Sequence, residues 1–211
     1  MNIILLGAPG SGKGTLSEFL CEKNNFTQLS TGDLFRENIS NQTELGIEAQ
    51  KYMNEGKLVP DSVTNSMVEN YLKTKAKDLI FDGFPRTDDQ ALALDKMLEE
   101  LNDQIDKVVY LDIDESVLLG RLTGRMICKI CKRSYHKINR KPLKEGVCDF
   151  DGGELITRPD DQEDKIKTRL EAYHNQTAPL IEFYKEKTIK VDADNCTPEE
   201  LYNRVMEILG A

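Results

Sequence analysis

The chain contains no tryptophan, only two histidines, and no apolar run near the roughly 20 residues a bilayer-spanning helix requires. Neither His136 nor His174 has a serine or cysteine partner in a recognisable nucleophile pattern, so covalent acyl-transfer chemistry has no support. Cationic excess is missing too: 28 basic residues face 37 acidic ones, a formal net charge of -9. That balance argues against a general nucleic-acid or anionic-membrane binder, and any phosphate site must be basic locally. Residues 2–6 are too short an apolar stretch for a secretory leader and lack its charged flank, which makes the cytoplasm the expected location.

What is present suits a folded, soluble chain: 211 residues, 39% hydrophobic and 31% charged. That length holds one substantial core and a small appended unit. Short apolar runs at residues 3–6, 79–81, 108–111 and 189–191, with a weaker one at 26–29, read as buried strands, most followed by helical patterns. Strand then helix, repeated, predicts an α/β fold with a parallel sheet covered on both faces. Two segments interrupt the alternation. Residues 30–59 are polar and helix-like, and residues 124–161 are rich in Cys, Lys, Gly and Pro.

The first run leads directly into Gly7-Ala8-Pro9-Gly10-Ser11-Gly12-Lys13-Gly14-Thr15 and then an amphipathic pattern. Strand, glycine loop and helix form the context in which backbone N–H groups and a helix N-terminus surround a phosphate, with Lys13 as a mobile charge. Gly14 stands where a hydroxyl usually follows the lysine. A magnesium ion held through water or a distant carboxylate would compensate, and Asp82, ending the 79–81 run, is the candidate. Its plainer alternative is a strand-ending turn residue.

Five cysteines cannot all pair. Cys128, Cys131 and Cys148 crowd together while Cys21 and Cys196 stand alone, a pattern that favours a metal over disulfides. With Asp151 the spacing is C-x2-C-x16-C-x2-D, two tight knuckles suited to a structural, four-coordinate Zn2+. His136 is the rival fourth ligand, against which knuckle symmetry favours Asp151. Lys129, Lys132 and Arg133 are expected to offset the charge of such a site.

Taken together, GAPGSGKGT at 7–15, STGDLFR at 30–36, KLVPD at 57–61, FDGFPR at 81–86, GRLTGR at 120–125 and QTAPLI at 176–181 make the chain resemble the adenylate kinases in their long-lid form. The resemblance implies a P-loop nucleoside monophosphate kinase fold, a five-stranded parallel sheet flanked by helices, and a monomer exchanging phosphoryl groups among ATP, AMP and ADP with Mg2+. It implies a core of residues 1–29, 60–123 and 162–211, an AMP-binding insertion at 30–59 and a zinc-binding lid at 124–161. ATP is then expected at Gly10, Ser11, Gly12, Lys13, Gly14, Thr15, Arg121, Arg125, Ser134 and Tyr135. AMP is expected at Thr31, Arg36, Lys57, Val59, Gly83, Arg86, Gln90, Arg158 and Arg169. Catalysis falls to Lys13, Asp82, Arg36, Arg86, Arg121, Arg158 and Arg169.

Chemistry agrees with that assignment. An AMP phosphate is already an anionic nucleophile, so the difficulty is joining two polyanions, which calls for planar arginine forks rather than a base. Arg133, Arg140 and Arg204 match no family motif and read as solvated charges, and Leu16, where relatives carry glutamine, reads as a packing residue. Three alternatives stay open: a kinase for another nucleoside monophosphate, a nucleotide-dependent switch, and a zinc-ribbon binding module on an inactive P-loop domain. The switch lacks an Asn-Lys-x-Asp motif, and the acidic chain counts against the module.

Overall fold

The computed structural model describes residues 1–74 and 77–210; Lys75, Ala76 and Ala211, which the expected core ranges include, lie outside the described residues. In chain order the first half comprises β1 (Ile3–Leu6), α1 (Lys13–Asn24), β2 (Thr27–Ser30), α2 (Thr31–Ser40), α3 (Glu44–Asn54), α4 (Asp61–Leu72), β3 (Leu79–Asp82) and α5 (Asp88–Glu100). Then follow β4 (Lys107–Asp112), α6 (Glu115–Thr123), β5 (Arg125–Cys128), β6 (Ser134–His136) and β7 (Leu155–Ile156). The chain closes with α7 (Glu163–Ala172), a π-helical turn Tyr173–Thr177, α8 (Leu180–Phe183), β8 (Thr188–Asp192) and α9 (Pro198–Leu209).

Five strands form a parallel sheet in the order β2-β3-β1-β4-β8. Side chains alternate across a strand, so β1, buried throughout, feeds two cores at once. Ile4 and Leu6 join Phe81, Val108, Leu94, Leu98 and Val68 on one face. Ile3 and Leu5 join Ile80, Val109, Leu16, Leu20 and Val205 on the other. Each such fully buried aliphatic side chain contributes on the order of 2 kcal/mol by leaving water. Leu16 is thus a core residue, 1% exposed, as its packing reading predicted.

Each interruption of the alternation carries a small apolar cluster. Residues 30–59 hold α2 and α3, capped by the Ser30 and Thr43 hydroxyls, which accept from the Asp33 and Gly46 amides, around a small core of Phe35, Ala49 and Val59. Residues 124–161 carry a separate antiparallel sheet, β6-β5-β7, packed on Cys128, Tyr135, Cys148 and Leu155. No described helix is long and apolar enough to cross a membrane.

Candidate active site

The glycine loop turns tightly between β1 and α1, and Gly12 enters the helix at φ 105°, a left-handed conformation disfavoured for other residues. Lys13 folds back so that its ammonium donates to the carbonyl oxygens of Gly7 at 2.7 Å and Ala8 at 3.0 Å. Burial pushes that ammonium down to about 8, with Asp82 opposing the shift and Arg86, Arg169 and Arg125 reinforcing it. Asp82, paired in register with Leu5 across the sheet, reaches the loop: its Oδ2 lies 3.9 Å from where a Cβ on Gly14 would stand. Gln28 donates to the same oxygen at 3.1 Å.

A cleft of about 1140 Å³ opens above this loop. Residues 10–15, Asp82, Arg121 and Arg125 line it, with Ser134 and Tyr135 from the small sheet on its far wall. Tyr135 directs its hydroxyl away, to within 3.3 Å of Cys148 Sγ, and accepts from the Asp149 amide. A second hollow of about 70 Å³ adjoins, lined by Thr31, Lys57, Val59, Gly83, Gln90 and their neighbours. The Lys57 ammonium itself pairs with Glu55 at 2.7 Å. Arg36, Arg86, Arg158 and Arg169 line both spaces.

Each arginine is aimed by a fixed partner, and the resemblance gave no role to the acids among them, Asp33, Asp160 and Asp161. Arg36 is held by Asp33 at 2.6 Å, and Arg158 by Asp160 at 2.6 Å. Asp161, with 3% of its side chain exposed, takes Arg125 at 2.6 Å and Arg169 at 2.8 Å. Arg86 donates from Nε to the Gly83 carbonyl at 2.9 Å, where Gly83 sits at φ 79° with Arg86 Nη2 2.9 Å from any Cβ placed there. The Arg86 amide donates to Gln90, whose side chain is anchored to Asp61 at 2.7 Å, and Thr177 in the π-helical turn donates to the Arg86 carbonyl. Arg121 donates to the Ala193 carbonyl at 3.2 Å. The adjacent acidic pair Asp160-Asp161, just after Arg158, is the local signal from which these clamps could have been sought.

Crowding of like charge leaves the seam electron-poor. Burial lowers the guanidiniums of Arg36, Arg86 and Arg169 and, with Arg158 nearby, brings Arg125 down to about 10. Asp160 goes the other way from what its burial alone would do, because Arg158 and Arg169 hold its carboxyl far below the usual range. Such preorganised positive charge suits developing charge on a transferred anionic group.

In the small sheet, donor atoms of Cys128, Cys131, Cys148 and Asp151 lie within 4.8 Å of one another. Cys131 and Cys148 sulfurs are 3.6 Å apart, near the roughly 3.8 Å edge of a tetrahedron with 2.3 Å metal–sulfur bonds. Amides of Ile130 and Gly153 donate to Cys128 Sγ and Asp151 Oδ1. Burial pushes the Cys131 thiol up to about 12, so thiolate there calls for a neighbouring cation. The donor set fits zinc. His136 stands apart, its Nε2 3.2 Å from the Gly120 carbonyl and its Nδ1 accepting from Ile138 and Asn139.

Two charge expectations change. Lys129 pairs with Glu154 and Lys132 donates to the Lys129 carbonyl, so peptide N–H groups, not these side chains, face the cluster. Arg133 and Arg140 are only partly solvated: both bind Glu18 on α1, because the fold brings the small sheet against that helix. Arg204 is exposed, as expected, and donates to the Asp192 carbonyl.

Comparison with known proteins bears on the whole chain. The family model described as adenylate kinase matches residues 5–189. An adenylate kinase of Mesoplasma florum is 56% identical over the full length of both chains. Those of Mycoplasma capricolum, over 97% of both chains, and Caldicellulosiruptor bescii, over 100% of this chain and 98% of its own, are each 50% identical. With the glycine loop, the arginine seam and these matches in one chain, the protein belongs to the adenylate kinase family of nucleoside monophosphate kinases.

Proposed function

We propose that the chain transfers the terminal phosphoryl group of ATP to AMP, giving two ADP, with ATP in the larger cleft and AMP in the smaller hollow. The observation that carries this arrangement is the seam: Arg36, Arg86, Arg158 and Arg169 line both spaces, where two polyanions must meet. Residues 10–15 bind the ATP phosphates, Lys13 leaving the Gly7 and Ala8 carbonyls for them. Arg121, Arg125, Ser134 and Tyr135 complete the ATP side. Thr31, Lys57, Val59, Gly83 and Gln90 hold AMP. In-line attack by an AMP phosphate oxygen needs orientation and charge neutralisation, which the paired arginines provide, and no general base.

Asp82, which faces the glycine loop beside Gly14, suits Mg2+, which when bound with ATP screens its phosphates. Cys128, Cys131, Cys148 and Asp151 suit a structural Zn2+ that staples residues 124–161 into a lid excluding water, a competing nucleophile. Residues 30–59 act as the AMP-binding insertion, and the remainder is the core. The acidic balance supports action on small nucleotides rather than on nucleic acid or membranes, and a cytoplasmic monomer is what the family resemblance implies.

The test is direct: purified protein with Mg2+, ATP and each nucleoside monophosphate in turn, following diphosphate formation. Rapid production of ADP from ATP and AMP, with UMP and GMP poor, is expected. Preference for another monophosphate would move the acceptor assignment, and no transfer would overturn the reading.

A further inference from the structure

Four charged side chains outside the roles above join residues 124–161 to the helix that carries the glycine loop. Glu18 and Glu22 lie one turn apart on α1, so both carboxylates share a face, a spacing at which like charges repel. Arg133 and Arg140 come to that face from the opposite side. Arg140 engages both Glu18 oxygens, Nη1 to Oε2 at 3.1 Å and Nη2 to Oε1 at 2.7 Å. Arg133 Nη1 is 2.8 Å from Glu18 Oε1, and its Nη2 reaches Glu22.

Exposed ion pairs between long side chains contribute little. This one is sheltered, with Glu18, Arg133 and Arg140 side chains 15%, 21% and 28% exposed, and its two-point geometry is the directional kind. Both guanidiniums also lie over aromatic rings. Arg133 lies 4.2 Å from the centroid of Phe150, between Cys148 and Asp151 in sequence, and Arg140 lies 5.7 Å from that of Tyr135.

We propose that Glu18 is a positioning residue for phosphoryl transfer, the post on which Arg133 and Arg140 latch the lid over the ATP side of the cleft. Glu18 lies five residues beyond Lys13, about 7.5 Å along the helix, so a lid seated on it covers the loop. It acts through the two arginines rather than on the reacting groups. When the latch is absent, a smaller fraction of molecules holds the lid closed before ATP arrives, and apparent ATP affinity falls by that fraction. This rests on the lid reading of residues 124–161 proposed above.

The zinc-loaded full chain would be compared with Glu18→Gln, Arg140→Gln and the double variant. Each single change is expected to raise the KM for ATP about fivefold, move the KM for AMP less than twofold and leave kcat undiminished, as a shifted closure equilibrium requires. Amide hydrogen exchange in β6 without nucleotide should speed up, and the double variant should match Glu18→Gln, since that change already removes the contact Arg140 makes. Additive effects on the ATP KM, a fall in kcat at constant KM, or unchanged exchange would overturn the latch; Arg140→Gln keeps the test decisive should Glu18→Gln fold poorly. A wild type inactive on ATP and AMP would instead overturn the parent reading, while the exchange comparison still decides the contact.

Discussion

Arg125 and Asp161 meet at two points, Nε to Oδ2 at 2.8 Å and Nη2 to Oδ1 at 2.6 Å. Arg125 opens β5 and Asp161 precedes α7, so this grip joins the two chain segments by which the small sheet leaves and re-enters the core. Arg169 shares the same carboxylate.

Asp161→Asn is therefore expected to cut turnover at least tenfold and to lower stability by about 3 kcal/mol, since a sheltered arginine pair loses its counter-charge. For a chain of this size that corresponds to roughly 6–12 °C in Tm. Thermal unfolding together with steady-state assay checks both, and a variant with wild-type melting and rate would show the grip to be incidental.

Lys13→Met removes the ammonium that folds back over the glycine loop while leaving the two cores flanking the parallel sheet untouched. The expected outcome is a fall in kcat of about 10²–10³, the range for deleting one preorganised donor, with melting within a few degrees of wild type. Stopped-time assays at saturating ATP and AMP measure it.

The pH dependence follows from the same residue. Burial brings Lys13 down to about 8, so in the unliganded protein the cationic form that attracts phosphate is complete below that pH and is lost as pH rises through it. The value of kcat/KM for ATP should decline above about pH 8. A profile level to pH 10 would show that the ammonium stays protonated.

Metal analysis separates the candidate fourth ligands. Protein loaded with Zn2+ should retain about one equivalent after His136→Ala, whose ring binds the Gly120 carbonyl, and lose it after Asp151→Ala, whose oxygen sits 3.2 Å from Cys128 Sγ. Chelation should lower Tm in the wild type without affecting Asp151→Ala, because a structural ion contributes folding energy.

Much of this site was legible from local pattern. The glycine loop follows a strand and opens a helix, the alternating apolar runs match the observed parallel strands, and the cysteine knuckles converge as their spacing suggests. Less legible were the acids. Asp160 and Asp161 match no family motif, yet they hold Arg158, Arg125 and Arg169. Arg133 and Arg140 looked solvated, yet their partner Glu18 lies more than a hundred positions earlier in the chain.

The sequence by itself determined which local conformations and which chemistry were available: glycines where the chain must turn around an anion, apolar periodicity that buries a sheet on both faces, arginines and cysteines at family spacing. Those features depend on neighbours a few residues apart, where propensity, capping and side-chain period act. Tertiary structure decided which carboxylate holds each guanidinium, that four arginines line both hollows, and that the small sheet rests on α1. Those outcomes depend on charges brought together by the order of strands in the sheet, and an ion pair forms where the fold puts its partners, whatever their distance along the chain.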